Sequence, residues 1–252
     1  MPFTLAHPAA VLPLLRKGRP WLSATGLVLG SMSPDFEYFI RLRPGGGFGH
    51  SLLGLLLLDV PLSLIVAGLF YGLVRKPLVR NLPAFLRNRL SYFQQHPWPL
   101  SNLWSPRLLL GIIIGGITHI LWDDLTHSRG PIARNFSPLH HDVLDRPLFL
   151  WLQYASSGFG LLMIAWFIWS LPARPTLPRP SRQRQTYFWA GAAVCFGLIW
   201  PVLTKFSQEY QSITHSTAAI VTSITAGTLA LLIISIIIRF TRTGRATGEE
   251  AT

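Results

Sequence analysis

Cysteine and acidic side chains are the scarcest chemistry in this sequence: one Cys and ten Asp or Glu stand among 252 residues, against 22 Lys and Arg. The lone thiol, Cys195, excludes an intrachain disulfide and any cysteine-based metal site. Charge of either sign is sparse, at 13% of residues, which argues against a soluble globular chain. The opening Met-Pro-Phe-Thr-Leu-Ala-His lacks the basic start and apolar core of a cleavable signal peptide, so the first apolar span is expected to act as an uncleaved anchor. No internal repeat is visible, and the only low-complexity stretch is the Pro- and Arg-rich segment Pro172 to Pro180.

Apolar runs dominate what is present. Half of the residues are hydrophobic and the mean hydropathy is +0.38. Crossing a bilayer takes about 20 apolar residues, and suitable stretches recur at about Leu52 to Val74, Leu108 to Trp122, Leu148 to Leu171, Tyr187 to Phe206 and Ile213 to Ile238. The expected fold is all-α: a multi-pass membrane protein with about five transmembrane helices and short N-terminal helices. One membrane domain is expected over 1–252, made of an N-terminal helical segment (1–50), a transmembrane bundle (51–240) and a basic and acidic tail (241–252).

The excess of positive charge, +12, collects between spans. Arg75, Lys76, Arg80, Arg87, Arg89 and Arg107 follow the first span, Arg174, Arg179, Arg182 and Arg184 the third, and Arg239, Arg242 and Arg245 the fifth. The positive-inside rule puts these connections in the cytoplasm and the loops Asp123 to Pro147 and Lys205 to Ser212 outside. Anionic lipid headgroups account for such basic span ends, so membrane lipids are the expected partners and nucleic acid is not. Arg16, Lys17, Arg19, Arg41 and Arg43 break the pattern if residues 1–50 stay outside with Asp35 and Glu37, leaving a re-entrant or an interfacial segment as alternatives. Two short helices are expected there. One opens at His7-Pro8 and closes at Gly18; the other starts at Ser33-Pro34-Asp35, ahead of a glycine hinge from Gly45 to Gly49.

The second span ends in His119, Asp123 and His127, spaced every four residues. At about 100° per residue such side chains form one polar stripe on one helix face. An up-and-down pair of spans brings His50, at the mouth of the first, to the same side as His119. His7 and Asp35 join them if the N-terminal segment does not cross. Imidazole with carboxylate suits Zn²⁺ and also Mn²⁺ or Fe²⁺. The candidate ligands are therefore His7, Asp35, His50, His119, Asp123 and His127, with Asp123 bridging two ions and Asp124 a supporting group or base. The expected substrate is a phosphoester or a lipid-linked molecule. A binding or transport protein with a structural His/Asp cluster is the alternative. Asp59 lies about 13 Å further along the first span and half a turn round. It is expected to bond a neighbouring helix rather than the His50 site, unless Pro61 distorts the span. His140-His141-Asp142, Arg129, Arg134 and Arg146 lie in the same outer loop as candidate substrate contacts, whereas His96 and His215 suggest no partner.

Three stretches carry a family resemblance: Met-Pro-Phe-Thr-Leu-Ala-His-Pro-Ala-Ala at the start, Gly30-Ser31-Met32-Ser33-Pro34-Asp35-Phe36-Glu37-Tyr38, and His119-Ile120-Leu121-Trp122-Asp123-Asp124-Leu125-Thr126-His127. They resemble the bacterial integral-membrane family catalogued as domain of unknown function 4184, over most of the chain. More remotely, the early His, the Ser-Pro-Asp turn and the His-x-x-x-Asp helix are similar to inner-membrane metal-dependent hydrolases and to the zinc-dependent phospholipase C and nuclease superfamily. That resemblance implies a bacterial inner-membrane location and assigns the metal positions to His7, Asp35, His50, His119, Asp123 and His127. With the charge pattern, it places the site on the extracytoplasmic side.

Overall fold

The computed structural model describes residues 3–16, 21–43, 47–95, 97–128, 130–174, 180–208 and 215–249. Five helices are long and apolar enough to cross a membrane: Leu52–Asn81, Pro106–Thr126, Leu148–Ser170, Arg182–Ser207 and Ala218–Thr241. They are the five spans that hydropathy marks: the first, second and fourth reach further along the chain, the third ends one residue sooner at Ser170, and the fifth shifts to Ala218–Thr241. The chain divides into two compact units. One holds Met1–Glu37, Gly46–Ala67 and Ser101–Ser170; the other holds Tyr38–Gly45, Gly68–Leu100 and Leu171–Thr252.

The first unit carries every candidate ligand. Its N-terminal segment is a 3-10 helix, Thr4–Val11, that continues as α1 (Leu12–Arg16). This run lies along the third span: the Phe3 amide donates to Ser157 Oγ at 2.9 Å, and a Cβ on Gly160 would meet Ala6 at 2.9 Å. The chain then comes back as α2 (Ala24–Gly30) against the second span. The Ser23 hydroxyl caps α2 by accepting from Gly26 N, and the Ser23 amide donates to the Arg107 carbonyl at 3.2 Å. The segment thus runs along the third span and comes back along the second, with Ser23 at the Arg107 end of that span. Two expectations are corrected here. The first helix begins at Thr4 with Pro8 inside it, and α2 is an additional helix. Pro8 has no N–H and its ring clashes with the carbonyl four residues back in an α-helix, which favours the tighter 3-10 turn.

Glycines set the contact between α2 and the second span. A Cβ on Gly26 would lie 2.4 Å from the Leu108 carbonyl oxygen and one on Gly30 2.1 Å from that of Ile112. Reciprocally, Cβ atoms on Gly111 and Gly115 would lie 2.9 Å from the Ser23 oxygen and 2.4 Å from the Leu27 oxygen. Each helix thus offers two glycines one turn apart, and the backbones mesh as in small-residue packing between membrane helices.

The first span carries two π turns, Leu55–Asp59 and Phe70–Val74, each followed within three residues by a proline, Pro61 or Pro77. A proline ring cannot tolerate the carbonyl four residues before it, and widening the preceding turn relieves that clash. In the connection between the second and third spans, a small hairpin pairs β1 (Asp142–Val143) with β2 (Arg146–Pro147). Its turn places Leu144 and Asp145 at φ of 51° and 59°.

In the second unit the fourth and fifth spans pack through Phe188, Ala192 and Ile234. The Asn81 carbonyl closes the end of the first span by accepting from Gln185 Nε2 at 2.9 Å and Trp189 Nε1 at 2.8 Å.

Candidate metal centre

Four chain segments converge on one buried polar cluster within the first unit. The 3-10 helix supplies His7. At three residues per turn, positions three apart eclipse, so Thr4 and His7 share one edge and both reach the cluster. The Thr4 hydroxyl donates to Asp35 Oδ2, and His7 Nε2 lies 3.5 Å from Asp123 Oδ1. Asp35 closes the 3-10 turn Ser33–Asp35, whose opening Ser33 hydroxyl donates to the Gly30 carbonyl, and is fully buried. His50 precedes the Ser51 cap of the first span. His119 and Asp123 occupy successive turns of the second span, and His127 caps its end.

The meshing of α2 with the second span has a direct effect on this cluster. It brings the Ser31 carbonyl within 2.8 Å of His119 Nδ1. A carbonyl only accepts, so Nδ1 carries the proton and the Nε2 lone pair faces the carboxylates, the orientation metal-binding histidines obtain from such a partner. His127 is held the same way, its Nδ1 donating to the Asp123 carbonyl at 3.0 Å.

Asp35, His50, His119 and Asp123 each offer one ligand atom, and these atoms all lie within 4.8 Å of one another. His50 Nε2 is 3.6 Å from Asp35 Oδ1 and 3.3 Å from Asp123 Oδ2. His119 Nε2 is 3.7 Å from Asp35 Oδ1 and 3.5 Å from Asp123 Oδ2. Good His–carboxylate hydrogen bonds are about 2.7–2.9 Å long. Ligands about 2.0–2.2 Å from a tetrahedral zinc instead stand roughly 3.3–3.6 Å apart. The donor set and its spacing therefore fit a divalent ion, and two carboxylates match its charge. Asp123 Oδ1 faces the other way, 3.5 Å from His7 Nε2 and 3.8 Å from His127 Nδ1.

Several buried atoms of the cluster have no hydrogen-bond partner among the described residues: both nitrogens of His7, Nε2 of His119 and His127, and Oδ1 of Asp35 and Asp123. Leaving such groups unsatisfied costs roughly 1–3 kcal/mol each, and a cation shared among them removes that cost. Burial, reinforced by the facing His119, holds the His7 imidazole well below its ordinary range, so it stays neutral and able to ligate. The two rings stack with centroids 3.7 Å apart. Burial also lowers His127 and pushes the Asp35 carboxyl up.

All six residues singled out as ligands in the sequence meet here. Asp124 does not join them: it makes no hydrogen bond or ion pair with the cluster among the described residues, and Gly130 packs on its backbone, where a Cβ would lie 2.6 Å from its Cα. His140 is taken up by the loop itself, its Nε2 donating to the Ala133 carbonyl at 2.9 Å, and His141 and Asp142 are exposed. Arg134 and Arg146 are exposed as well. Arg129 and His96 lie outside the described residues, as does the side chain of His215. Asp59 departs from expectation. The π turn sets its carboxylate beside the Pro34–Gly49 contact, so that a Cβ on Gly49 would lie 3.2 Å from its Oδ1. Neither of its oxygens has a hydrogen-bond partner among the described residues. Gly49 is thus a close-packing residue as well as the end of the glycine run. Two contributors escaped sequence reasoning, Thr4 and Ser31. A hydroxyl three residues before His7 on a 3-10 edge was the only available signal for the first. The backbone carbonyl of the second leaves none.

Residues 1–240 match the model of the family described as "Domain of unknown function (DUF4184)", and the chain belongs to that family. No curated protein and no solved structure matches it.

Proposed function

We propose that this protein is a membrane-embedded, metal-dependent hydrolase acting on a phosphoester or lipid-linked substrate, with its site on the outer side of a bacterial inner membrane. The observation that carries this reading is the convergence of His50, His119, Asp35 and Asp123, with four His–carboxylate separations of 3.3 to 3.7 Å, all four ligand atoms within 4.8 Å of one another, and Nε2 of His119 turned inward by Ser31. Those four residues would hold the first ion, with Zn²⁺ favoured and Mn²⁺ or Fe²⁺ also suited to the donors. His7, whose Nε2 faces the second oxygen of Asp123, and His127, through its Nε2, unpartnered among the described residues, would complete a position for another. A bound divalent ion supplies Lewis-acid polarisation of the phosphoryl group and a more acidic water.

The chain's own residues divide the remaining work. Asp123 joins the two halves of the cluster through its two oxygens. Ser31 and Thr4 fix His119 and Asp35 and so keep the ligands in place before substrate arrives. Asp124, partly exposed and outside the bonded cluster, is assigned the task of accepting a proton from the attacking water. The basic connections after the first, third and fifth spans support the outward placement of the site.

Elemental analysis of purified protein beside His119→Ala and Asp123→Ala tests the reading. Stoichiometric zinc or manganese in the wild type, lost in both variants, is the expected result. Wild-type protein that stays metal-free after Zn²⁺ and Mn²⁺ are supplied overturns it and leaves a structural polar cluster in a binding or transport protein.

A further inference from the structure

One wall of the metal centre continues into an apolar cavity of about 360 Å³. Trp122 belongs to both: its indole meets the His7 ring edge-on, with centroids 5.7 Å apart, and it also lines the cavity. The 3-10 edge that carries Thr4 and His7 carries Ala10 one turn further on, and Ala10 with Pro13 forms the second wall. The third wall is one face of the third span, with Phe159, Met163 and Phe167 four residues apart. Eight residues at about 1.5 Å each make that wall roughly 12 Å long. No side chain in this lining carries a charge.

We propose that this groove takes the hydrocarbon chain of the substrate, whose phosphate end then lies at the His/Asp cluster; the assignment of the phosphate end rests on the reading of the previous section. The occupant follows from the setting. The outer face of the third span is exposed in the protein, with Phe159 at 61% and Trp166 at 47%, on a helix long and apolar enough to sit in a bilayer. What reaches such a face is lipid. An elongated, uncharged trough is complementary to a flexible chain, and the short side chains of Ala9 and Ala10 keep it open beside Trp122. A lipid seated there has its polar end next to His7, so the groove selects amphiphilic phosphoesters over soluble ones.

The test uses two photoprobes on the full-length protein in lipid nanodiscs: a long-chain alkyl phosphate with a diazirine at mid-chain, and the alcohol of the same chain. Cross-links mapped by mass spectrometry should fall in the peptides containing Ala9–Pro13 and Phe159–Phe167, at least five-fold more with the phosphate probe. Ala10→Trp and Met163→Trp, which fill the groove from opposite walls, should each lower that labelling about ten-fold while bound zinc stays at the wild-type level. Equal labelling by both probes means annular lipid only and overturns the proposal. So does labelling elsewhere, or labelling that both tryptophan variants leave intact. The hydrolase reading fails separately, as a phosphate probe held in the groove and never cleaved.

Discussion

Asp123 is the residue on which the cluster turns, because each of its oxygens faces two imidazole rings, Oδ1 those of His7 and His127 and Oδ2 those of His50 and His119. Asp123→Asn keeps the shape and removes the charge that balances a dication. It should abolish metal binding, read by elemental analysis, with the helical circular-dichroism signal intact. Asp124→Asn should do the opposite, retaining metal and lowering kcat by about 10²-fold or more, the usual loss when a general base is removed. Acidity gives a further readout. His7 is held neutral by burial at pH values where an exposed imidazole takes up a proton, whereas Asp35 keeps its proton to higher pH than an exposed carboxyl. Metal binding competes with the proton that burial helps Asp35 to hold, and in acid with protonation of His7. Zinc affinity measured by competition with a chelator should therefore fall as pH drops from 7 to 5, by up to about tenfold per pH unit for each proton displaced. An affinity independent of pH over that range would be incompatible with these ligands.

At the level of elements, the spans and the polar stripe were readable from the sequence for a simple reason. Twenty consecutive apolar residues have few other uses, and His119, Asp123 and His127 stand out at helical spacing inside one of them. What the sequence concealed is how α2 is seated. Gly26, Gly30, Gly111 and Gly115 mark helices able to approach closely, yet nothing in the chain says which pairs meet. The same limit hid the 3-10 geometry of Thr4–Val11, because Pro8 reads equally well as the opening of an α-helix. Counting also assumes a constant turn, whereas the widened turn before Pro61 ends on Asp59, whose carboxylate lacks the expected bond to a neighbouring helix among the described residues. Enlarging the contact should show its worth. Gly30→Leu or Gly115→Leu forces side-chain atoms onto backbone within 2.1 to 2.4 Å of the Cβ position, where overpacking costs typically 1–3 kcal/mol. Both variants should lower the thermal midpoint and lose zinc through displacement of Ser31. Gly158→Leu, at a position with nothing within 4 Å, should do neither.

For the molecule as a whole, the asymmetry of charge is the strongest guide to orientation. The second unit carries three of the ten acids, Glu209, Glu249 and Glu250, against 15 of the 22 Lys and Arg, two of which, Arg75 and Arg87, are at 5% and 4% exposure. The first unit holds both acids of the cluster. His141→Cys in a Cys195→Ser background should react with a membrane-impermeant maleimide in intact cells, since His141 is exposed in the loop beyond the second span. Reaction only after the membrane is opened would turn the site to the cytoplasm.

The run of Thr4–Val11 along the third span also has a consequence for biosynthesis. Phe3 and the serine it bonds are separated by 154 positions. At about 5–20 residues per second, the ribosome takes on the order of 10 s to make the rest of that pair. Until then Thr4–Val11 lacks the third span, against which it packs. A late step of assembly is therefore the docking of Thr4–Val11 on the third span. Zinc, by tying His7 to Asp123, would act as the latch, and protein made in zinc-starved cells should be clipped by proteases near its beginning.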